Sequence, residues 1–473
     1  MIDALILTIL MTSVPLVLAA TGELVVERSG VLNLGLEGMM LMGAVSAFAF
    51  TYATGSLFIG LLAGIISGAV TAAIFGFFVF VINALFVRYK LGSASEISGL
   101  LNSAGMGICL LFSIYIIFNL DQSQNKYVFS WISIGKISLD FSLMVDSLTA
   151  IMLVVVSGIS FLVQIYSIGY MHGDKSYTRY FAYMALFTGS MLGLVLSRNI
   201  LQLFIFWELV GVSSYLLIGF WHERSSAAAA AKKAFIMTRL GDFGFLFSII
   251  YLFNIDSSFL EIPILYQAIL DEQITSRVAT ILAVGFLIGG IGKSAQFPLH
   301  NWLPDAMEGP TSVSALIHSA TMVTAGVFLV ARLFPLFQIS EIMPLVAIVG
   351  CLTSFISATM ALSTTDIKRV LAYSTISQLG YMFMALGLGA YTAAIFHLFT
   401  HAFFKAGLFL SSGSVHHAAG TFNMKYMGGL KHSMKYTYYS MLICSLSLAG
   451  LFPLSGNFTI QIRFDFYEQR DNF

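Results

Sequence analysis

The sequence has few charged side chains for its length. Of its 473 residues, 23 are Lys or Arg and 23 are Asp or Glu, so the formal net charge is zero. With charges this sparse and balanced, no basic surface argues for nucleic acid. Hydrophobic residues make up 58% of the chain, and its mean hydropathy of +0.88 is far above that of an ordinary soluble domain. The composition therefore predicts an integral membrane protein.

Cysteine is also scarce. Cys109, Cys351 and Cys444 lie far apart in apolar runs. Iron–sulfur clusters need closely spaced thiolates, so we interpret the three as small core residues rather than as cluster ligands or a disulfide framework. We therefore expect no cofactor, and any electron transfer that the protein serves would take place in other chains.

Apolar stretches recur along most of the chain, and about 14 are long enough to cross a hydrocarbon core of roughly 30 Å. A membrane β-barrel would need short segments of alternating polarity, whereas these stretches are apolar on every face. The predicted fold class is all-α, a polytopic transmembrane helical bundle. The predicted spans are residues 2–21, 33–54, 57–88, 98–118, 145–168, 178–197, 199–220, 232–253, 277–297, 313–333, 342–362, 369–390, 392–418 and 436–453.

Two polar stretches interrupt this pattern. Residues 119–140, NLDQSQNKYVFSWISIGKISLD, alternate in polarity as strands do. Residues 254–277, NIDSSFLEIPILYQAILDEQITSR, predict a loop with a short amphipathic piece.

Proline breaks one helix in the stretch LIGGIGKSAQFPLHNWLPDAMEGP. The span reaches Lys293 and then meets Pro298 and Pro304, and a proline removes a backbone donor and clashes with the preceding turn. The freed carbonyls survive at membrane depth only where they line a cavity or are buried in protein. The stretch SLAGLFPLSGN predicts a second break. Paired discontinuous helices indicate the inverted repeats of an antiporter-like transporter.

Several protonatable side chains lie inside apolar runs. A carboxylate at such a depth costs roughly 2.5–3.5 kcal/mol on insertion scales. Each of these side chains has a structural alternative, as half of an ion pair or as a hydrogen-bonded core histidine. Because buried ion pairs seldom add net stability, the set as a whole favours function, and we predict a proton path. Its members are Glu208, Lys293, His318, His397, His401 and Lys405.

His397, His401 and Lys405 recur every four residues and therefore share one helix face over about 12 Å. Two imidazoles and an amine in such a row indicate a path of protonatable groups. Histidines at this spacing also bind zinc, but no carboxylate or Cys stands beside them in the sequence to complete a site, so we expect no metal.

Glu208 and Lys293 form the natural couple of the predicted path. A lysine beside an ionised glutamate keeps its charge, and it releases its proton more readily once the glutamate is neutralised or moves away. Arg239 and Asp242, spaced i and i+3, are expected to pair locally in a supporting role, structural or functional. A solvated or capping role is expected for the charges that flank helix ends: Asp305, Glu308, Asp366 and Lys368.

Six long motifs carry a family resemblance. They are SLMVDSLTAIMLVVV, IYSIGYM, LQLFIFWELVGVSSYLLIGFW, KSAQFPLHNWLPDAMEGPTSVSALIHSATMV, TTDIKRVLAYSTISQLGYMF and HLFTHAFFKAGLFLSSGSVHHA. In this order, over residues 79–453, they resemble subunit L of bacterial NADH:quinone oxidoreductase, the chain-5 subunit of respiratory complex I. The resemblance implies an antiporter-like subunit that couples electron transfer in partner subunits to proton pumping and has no redox centre of its own.

The resemblance also implies roles for single residues. Glu208 and Lys293 match the coupling pair of the family, His318 its linking histidine, and His397, His401 and Lys405 its second half-channel. Ser312 stands where the family usually has proline.

The start of the chain differs from that family. GELVVERSGVLNLGLEGMMLMGA resembles the opening of permease subunits of ABC importers for nucleosides and simple sugars. We therefore predict a permease-like fragment at residues 1–78, an antiporter-like domain at 79–453 and a non-homologous tail at 454–473. The tail is too polar and short to span a bilayer, and we expect this fusion and truncation to impair pumping.

Two other functions stay open. One is the large subunit of a multi-subunit sodium/proton antiporter, which shares the broken helices and the Glu and Lys positions, and the other is an ABC permease for nucleosides. The leading prediction is a multi-pass protein of the bacterial inner (plasma) membrane. Its expected partners are other membrane subunits of the oxidoreductase, the lipid bilayer and protons, with no nucleic acid.

Overall fold

The computed structural model describes residues 94–118, 127–134 and 137–456; for 94–97, 127–134 and 137–141 it describes the backbone. Three of the predicted spans, the permease-like fragment and the residues after 456 lie outside these ranges. The chain divides into two compact units. The second, Ser95–Phe129 with Phe141–Phe473, contains every candidate site residue.

Helices make up most of the described chain. They are α1 (Ala94–Phe118), α2 (Ser147–Tyr170), α3 (Tyr177–Leu196), α4 (Ile200–Ile218), α5 (Ser225–Ile255), α6 (Ile262–Leu270), α7 (Ser276–Lys293), α8 (Thr311–Ser319), α9 (Met322–Arg332), α10 (Phe334–Ile339), α11 (Met343–Ser363), α12 (Ile367–Gly387), α13 (Tyr391–Ala419) and α14 (Lys435–Leu448). Short 3₁₀ helices occupy Ser257–Leu260, Asp305–Glu308 and Met424–Tyr426.

The two polar interruptions form the elements that their patterns predict. Strands β1 (Tyr127–Ile134) and β2 (Ile137–Leu143) pair in a two-stranded sheet. The second interruption contains a 3₁₀ turn followed by the short helix α6. Both predictions are confirmed.

Within the described ranges, nine helical segments are long and apolar enough to cross a membrane, which confirms the polytopic helical bundle. Helix α12 has the length of a span but a more polar composition, and it is not among the nine. The span predicted at residues 436–453 is wrong in length, because α14 has 14 residues where about 20 are needed. The prediction that all three cysteines lie in the core is wrong for Cys351, which is exposed on α11, and Cys109 and Cys444 are only partly buried.

Polar side chains fix where several helices begin. Asp146 accepts the N–H of Thr149 at 2.8 Å before α2, and Asp366 accepts the N–H of Arg369 at 3.0 Å before α12. A side-chain acceptor at this position satisfies one of the first four N–H groups, which have no partner inside the helix. The capping role expected for Asp366 is confirmed.

The first helix break lies where proline predicts it. Helix α7 ends at Lys293, and the chain then runs through turns that include Pro298. Trp302 Nε1 donates to Gly292 O at 3.1 Å, and Gln296 Nε2 donates to Ser294 O at 2.9 Å. Carbonyls that would otherwise be unpaired at membrane depth are thus satisfied by side chains of the break itself.

A further break divides the span predicted at residues 313–333. Helix α8 ends at Ser319 and α9 begins at Met322, and between them Thr321 has φ −126° and ψ −105°, outside the helical region. The Thr321 hydroxyl donates to Leu316 O at 2.8 Å, a carbonyl near the end of α8. No proline or glycine marks this position, so the sequence pattern predicted one continuous helix.

The broken helix α8–α9 is the most enclosed part of the bundle. Within Thr311–Arg332, the apolar stretch that is long enough to cross the membrane has 100% of its residues buried inside the protein. The corresponding share for α1 is 17%. Helices α8 and α9 pack against α4 and also against α12 and α13, and α9 packs against α7. The central element therefore contacts both groups of helices that carry the predicted charges.

Candidate functional site

Four charged side chains of α4, α5 and α7 form what we call the paired cluster: Glu208, Arg239, Asp242 and Lys293. Arg239 Nη1 forms an ion pair with Glu208 Oε2 and lies 3.5 Å from Asp242 Oδ2. Lys293 Nζ lies 3.7 Å from the same oxygen of Asp242. The signs alternate along the cluster, so each cation lies beside a carboxylate.

A tryptophan of α4 fixes the carboxylate at the centre of this cluster. Trp207 Nε1 donates to Asp242 Oδ1 at 2.6 Å, and its ring centroid lies 5.7 Å from Lys293 Nζ. One oxygen of Asp242 is thus held by the indole, while the other is shared between two cations. This arrangement orients the carboxylate toward Lys293 and Arg239.

Glycines create the space in which the paired cluster forms. A Cβ on Gly241 would lie 2.9 Å from the Cα of Gly292, so these two glycines let α5 and α7 approach each other closely. Their chain neighbours are Asp242 and Lys293, which the close approach brings together. A Cβ on Gly211 would lie 2.6 Å from Lys293 Nζ, so the amine occupies space that any larger residue on α4 would fill.

Helix α13 carries the second group of protonatable side chains. His397, His401 and Lys405 are all buried, as expected for residues on one inward face. His397 Nε2 lies 2.7 Å from Gln378 Oε1 on α12, and Lys405 Nζ donates to Ser374 Oγ on α12 at 2.9 Å. The ring centroids of His397 and His401 are 6.4 Å apart.

His318 is fully buried near the end of α8, immediately before the break at Thr321. Its ring centroid lies 5.1 Å from that of Phe409 on α13. Neither ring nitrogen makes a hydrogen bond to any residue that the structure describes. Because α8 contacts both α4 and α13, this histidine lies on an element between the two charged groups.

Lys368 on α12 contradicts the solvated role expected for it, because it is buried with 2% of its surface exposed. Its amine donates to Met307 O at 2.5 Å and to Gly309 O at 2.8 Å, in the segment just before α8. Its position beside a helix end predicted exposure to solvent, so its burial is a finding of the structure. We call His318, Lys368, His397, His401 and Lys405 together the basic row.

Two further charged side chains lie between the members of the predicted couple, Glu208 and Lys293. Arg239 is the ion-pair partner found at Glu208, and Asp242 is the carboxylate found at Lys293. The local pair of Arg239 and Asp242 is confirmed, and both side chains lie within the cluster. The functional role of all four stays a prediction.

The sequence analysis did not predict the ion pair that joins Arg332, which is buried, to Asp146, which is partly exposed. Both guanidinium nitrogens Nη1 and Nη2 of Arg332, at the end of α9, donate to the Asp146 carboxylate, and Nη2 also contacts the Thr149 hydroxyl. Burial alone would raise the pKa of Asp146, but the Arg332 charge and the hydrogen bonds from Arg332 and Thr149 lower it below its ordinary value. Both residues sit at span ends, where charges are usually solvated, so nothing in the sequence singled them out.

Two family models match this chain. Residues 197–464 match the membrane domain described as NADH:quinone oxidoreductase/Mrp antiporter, and residues 131–181 match the N-terminal part of chain 5 of NADH-ubiquinone oxidoreductase (complex I). These matches begin at residue 131 and so do not support the predicted permease-like fragment at residues 1–78, which also lies outside the described residues.

Curated relatives agree with these matches. The chain is 48% identical over 390 residues to NAD(P)H-quinone oxidoreductase subunit 5, chloroplastic, of Physcomitrium patens, covering 79% of this chain and 54% of the relative. It is 47% identical over 390 residues to NAD(P)H-quinone oxidoreductase chain 5 of Synechocystis sp., covering 79% of this chain and 55% of the relative. The chain thus spans about half the length of these relatives.

Solved structures share the fold. The Mrp complex from Dietzia sp. DQ12-45-1b superposes with a TM-score of 0.71 at 29% identity, covering 81% of this chain and 43% of that chain. The membrane-bound sulfane sulfur reductase, an archaeal respiratory membrane complex, gives a TM-score of 0.65 at 20% identity, covering 80% of this chain and 81% of that chain. The second match bears on the fold alone. Together they support an antiporter-like helical bundle.

Proposed function

The chain belongs to the NADH:quinone oxidoreductase/Mrp antiporter membrane family, and from that premise we propose that it is a proton-translocating subunit of an NADH:quinone oxidoreductase. In this role it couples electron transfer in partner subunits to the movement of protons. The observation that carries the proposal is the basic row, which follows the paired cluster along one membrane-spanning bundle.

The cost of burying these groups supports a transport role. Lys405 is fully buried and its amine donates to a hydroxyl, Ser374 Oγ. An ammonium taken out of water without a carboxylate costs several kcal/mol, and fold stability alone would be better served by an apolar side chain. A chain retains such a residue when its protonation changes during function.

In the proposed path the paired cluster controls loading and the basic row carries the proton onward. Movement of Arg239 between Glu208 and Asp242 changes the negative charge available to Lys293. When Asp242 is neutralised by Arg239, Lys293 loses its compensation and releases a proton. His318 receives it, because imidazole exchanges protons near neutral pH, and passes it to Lys405.

His401 and His397 continue the row along α13, where His397 lies against Gln378. Imidazoles separated by one helical turn suit stepwise transfer through intervening water. Pro298 supports the path by keeping the helix open beyond Lys293.

The proposed partners are the other membrane subunits of the oxidoreductase, the surrounding lipid and the protons themselves. The chain supplies no redox centre in this scheme, so its energy comes from quinone reduction in those partners. We assign it to an energy-transducing membrane, the bacterial inner (plasma) membrane, where such complexes oxidise NADH.

A second candidate is the large subunit of a sodium/proton antiporter, which the 29% identity to a chain of the Mrp complex favours. The two functions differ in their driving force. An oxidoreductase subunit moves protons when NADH is oxidised, whereas an antiporter exchanges sodium for protons without a redox reaction.

The test uses inverted vesicles from cells that carry the complete complex with this chain. A pH-sensitive dye reports lumen acidification after NADH is added, and radioactive sodium reports exchange in its absence. We expect acidification that requires NADH and quinone. Sodium-driven proton release without NADH would instead establish the antiporter function.

Two variants link the activity to the paired cluster. Glu208→Gln and Lys293→Ala should each depress proton pumping and coupled quinone reductase activity by roughly tenfold or more, the usual scale for loss of a proton-transfer group. Full pumping in either variant would reduce that residue to a structural ion-pair partner. The amount of assembled complex in each membrane, measured by immunoblot, normalises the rates.

A further inference from the structure

A row of buried hydroxyls joins the start of α8 to helices α2 and α3. Ser312 Oγ lies 2.7 Å from the Tyr180 hydroxyl, which lies 2.9 Å from Ser167 Oγ. Each of the three residues is 0% exposed. We call them the hydroxyl anchor, and none of them belongs to the proton path proposed above.

The direction of the hydrogen bonds in the hydroxyl anchor follows from counting protons. Each hydroxyl has one proton to donate. Ser167 Oγ donates its proton to Val163 O at 2.7 Å, so Tyr180 donates to Ser167 and Ser312 donates to Tyr180. The row therefore ends on a backbone carbonyl, which neither takes up nor releases protons at working pH, and so it holds structure rather than conducting.

A second tyrosine holds the same turn of α8. The Tyr170 hydroxyl donates to Thr311 Oγ1 at 3.1 Å and lies 3.4 Å from the backbone N of Thr311. Helix α8 begins after Pro310 without a side-chain N-cap. Tyr170 of α2 thus accepts an N–H of the first turn in place of a side-chain N-cap, whereas Tyr180 of α3 holds the side chain of Ser312.

The position of α8 matters because of His318. This histidine lies six residues after Ser312, about 9 Å along the helix, and its ring makes no hydrogen bond within the described ranges. Among the described residues, the ring is held by packing such as that on Phe409. Its distance from proton donors and acceptors therefore depends on where the short helix is held.

We propose that Ser312 is a positioning residue, whose hydrogen bond to Tyr180 fixes the start of α8 and thereby places His318 for proton transfer. This inference rests on the proposed function, because it requires that protons pass through His318.

The substitution Ser312→Pro supplies a control. In the first turn of a helix the N–H has no partner within the helix, so proline costs no helical hydrogen bond there, and its ring fixes φ. Ser312→Pro removes the hydroxyl but keeps a rigid helix start. Ser312→Ala removes the hydroxyl and supplies no such constraint. Tyr180→Phe removes the acceptor for Ser312 together with the donor to Ser167.

The experiment measures protons pumped per NADH oxidised in vesicles that carry the complete complex. We expect Ser312→Ala and Tyr180→Phe each to lower this ratio by roughly threefold or more, because a misplacement of about 1 Å strongly slows transfer. The double variant should be no worse than either single one, and Ser312→Pro should keep the ratio of the unchanged chain. A lower amount of assembled complex would not by itself change a ratio.

Two results would overturn the positioning role. One is an unchanged ratio in both Ser312→Ala and Tyr180→Phe, and the other is a Ser312→Pro variant as impaired as Ser312→Ala, which would make the hydroxyl itself the requirement. Lys405→Met, measured in parallel, separates this inference from the proposed function. If Lys405→Met also pumps fully, the proposed proton path fails, and if it alone is impaired, only the role of Ser312 fails.

Discussion

The paired cluster and the basic row bury their charges in opposite ways. In the paired cluster Arg239 forms an ion pair with Glu208, and Lys293 lies 3.7 Å from Asp242. In the basic row no carboxylate of the described residues forms an ion pair with Lys405. Its amine donates to a hydroxyl, and that of Lys368 donates to two backbone carbonyls.

This difference means that removing a charge should change the stability of the protein differently in the two groups. Removing one partner from a buried ion pair leaves an uncompensated charge, a loss of roughly 3–5 kcal/mol. Removing the Lys405 amine, which forms no ion pair with a carboxylate of the described residues, leaves only the Ser374 hydroxyl without a donor and relieves the cost of burying the charge. Neutralisation should therefore destabilise the protein at the paired cluster but, at Lys405, leave it as stable as before, or more so.

The largest expected effect concerns Lys405→Met. This change keeps most of the side-chain volume and removes the buried amine, so proton pumping should fall by roughly tenfold or more while the complex remains stable. Pumping is measured in NADH-energised vesicles, and stability as the apparent melting temperature of the purified complex in detergent.

Lys293→Met is the matched variant in the paired cluster. It leaves Asp242 with Arg239 as its remaining cation, so it should lower both pumping and melting temperature. If Lys405→Met destabilises the complex as much as Lys293→Met does, the distinction between paired and unpaired burial is wrong.

A smaller effect is expected from Gly211→Ala, which tests whether the position of the Lys293 amine matters. The new Cβ would lie 2.6 Å from Lys293 Nζ, and because the amine is the end of a flexible side chain, it moves aside at a cost of roughly 1–3 kcal/mol or less. The amine then sits differently from Asp242, and pumping should fall by several-fold.

Gly189→Ala on α3 is the control for this prediction, since a Cβ there would contact nothing within 4 Å. It should leave pumping unchanged. If Gly211→Ala pumps as well as the unchanged chain, the position of the Lys293 amine beside α4 does not matter for pumping.

Much of this arrangement could be predicted from the sequence because membrane burial makes isolated charges visible. Glu208, Lys293 and Lys405 stand out in apolar runs, and the four-residue spacing of α13 places its basic residues on one face. Proline likewise predicts the break after Lys293. Helical periodicity and the position of a charge within an apolar run suffice to predict such features, because the features depend on local sequence.

Other features depend on partners that are distant in sequence. The pairing of Lys293 with Asp242 follows from two glycines that bring α5 close to α7, and the sequence spacing of the charges does not reveal it. The burial of Lys368 depends on carbonyls of the segment that precedes α8. No proline or glycine marks the break at Thr321. The carbonyl of Leu316 that the break leaves free accepts a hydrogen bond from the Thr321 hydroxyl, and threonine also occurs in unbroken helices.

The smallest effect is expected at the pair of Asp146 and Arg332, which tests whether pairing alone marks a functional charge. The lowered pKa of Asp146 means that this pair stabilises the fold at neutral pH and that the stabilisation is lost as pH falls through the lowered pKa, below about 4. The side chain of Asp146 is 36% exposed, so the contribution is roughly 1 kcal/mol. Asp146→Asn should therefore lower the melting temperature slightly at pH 7 and flatten its dependence on pH below about 4, while protons pumped per NADH stay unchanged. A lower pumping ratio in Asp146→Asn would show that this pair, which lies outside the paired cluster and the basic row, also takes part in transport.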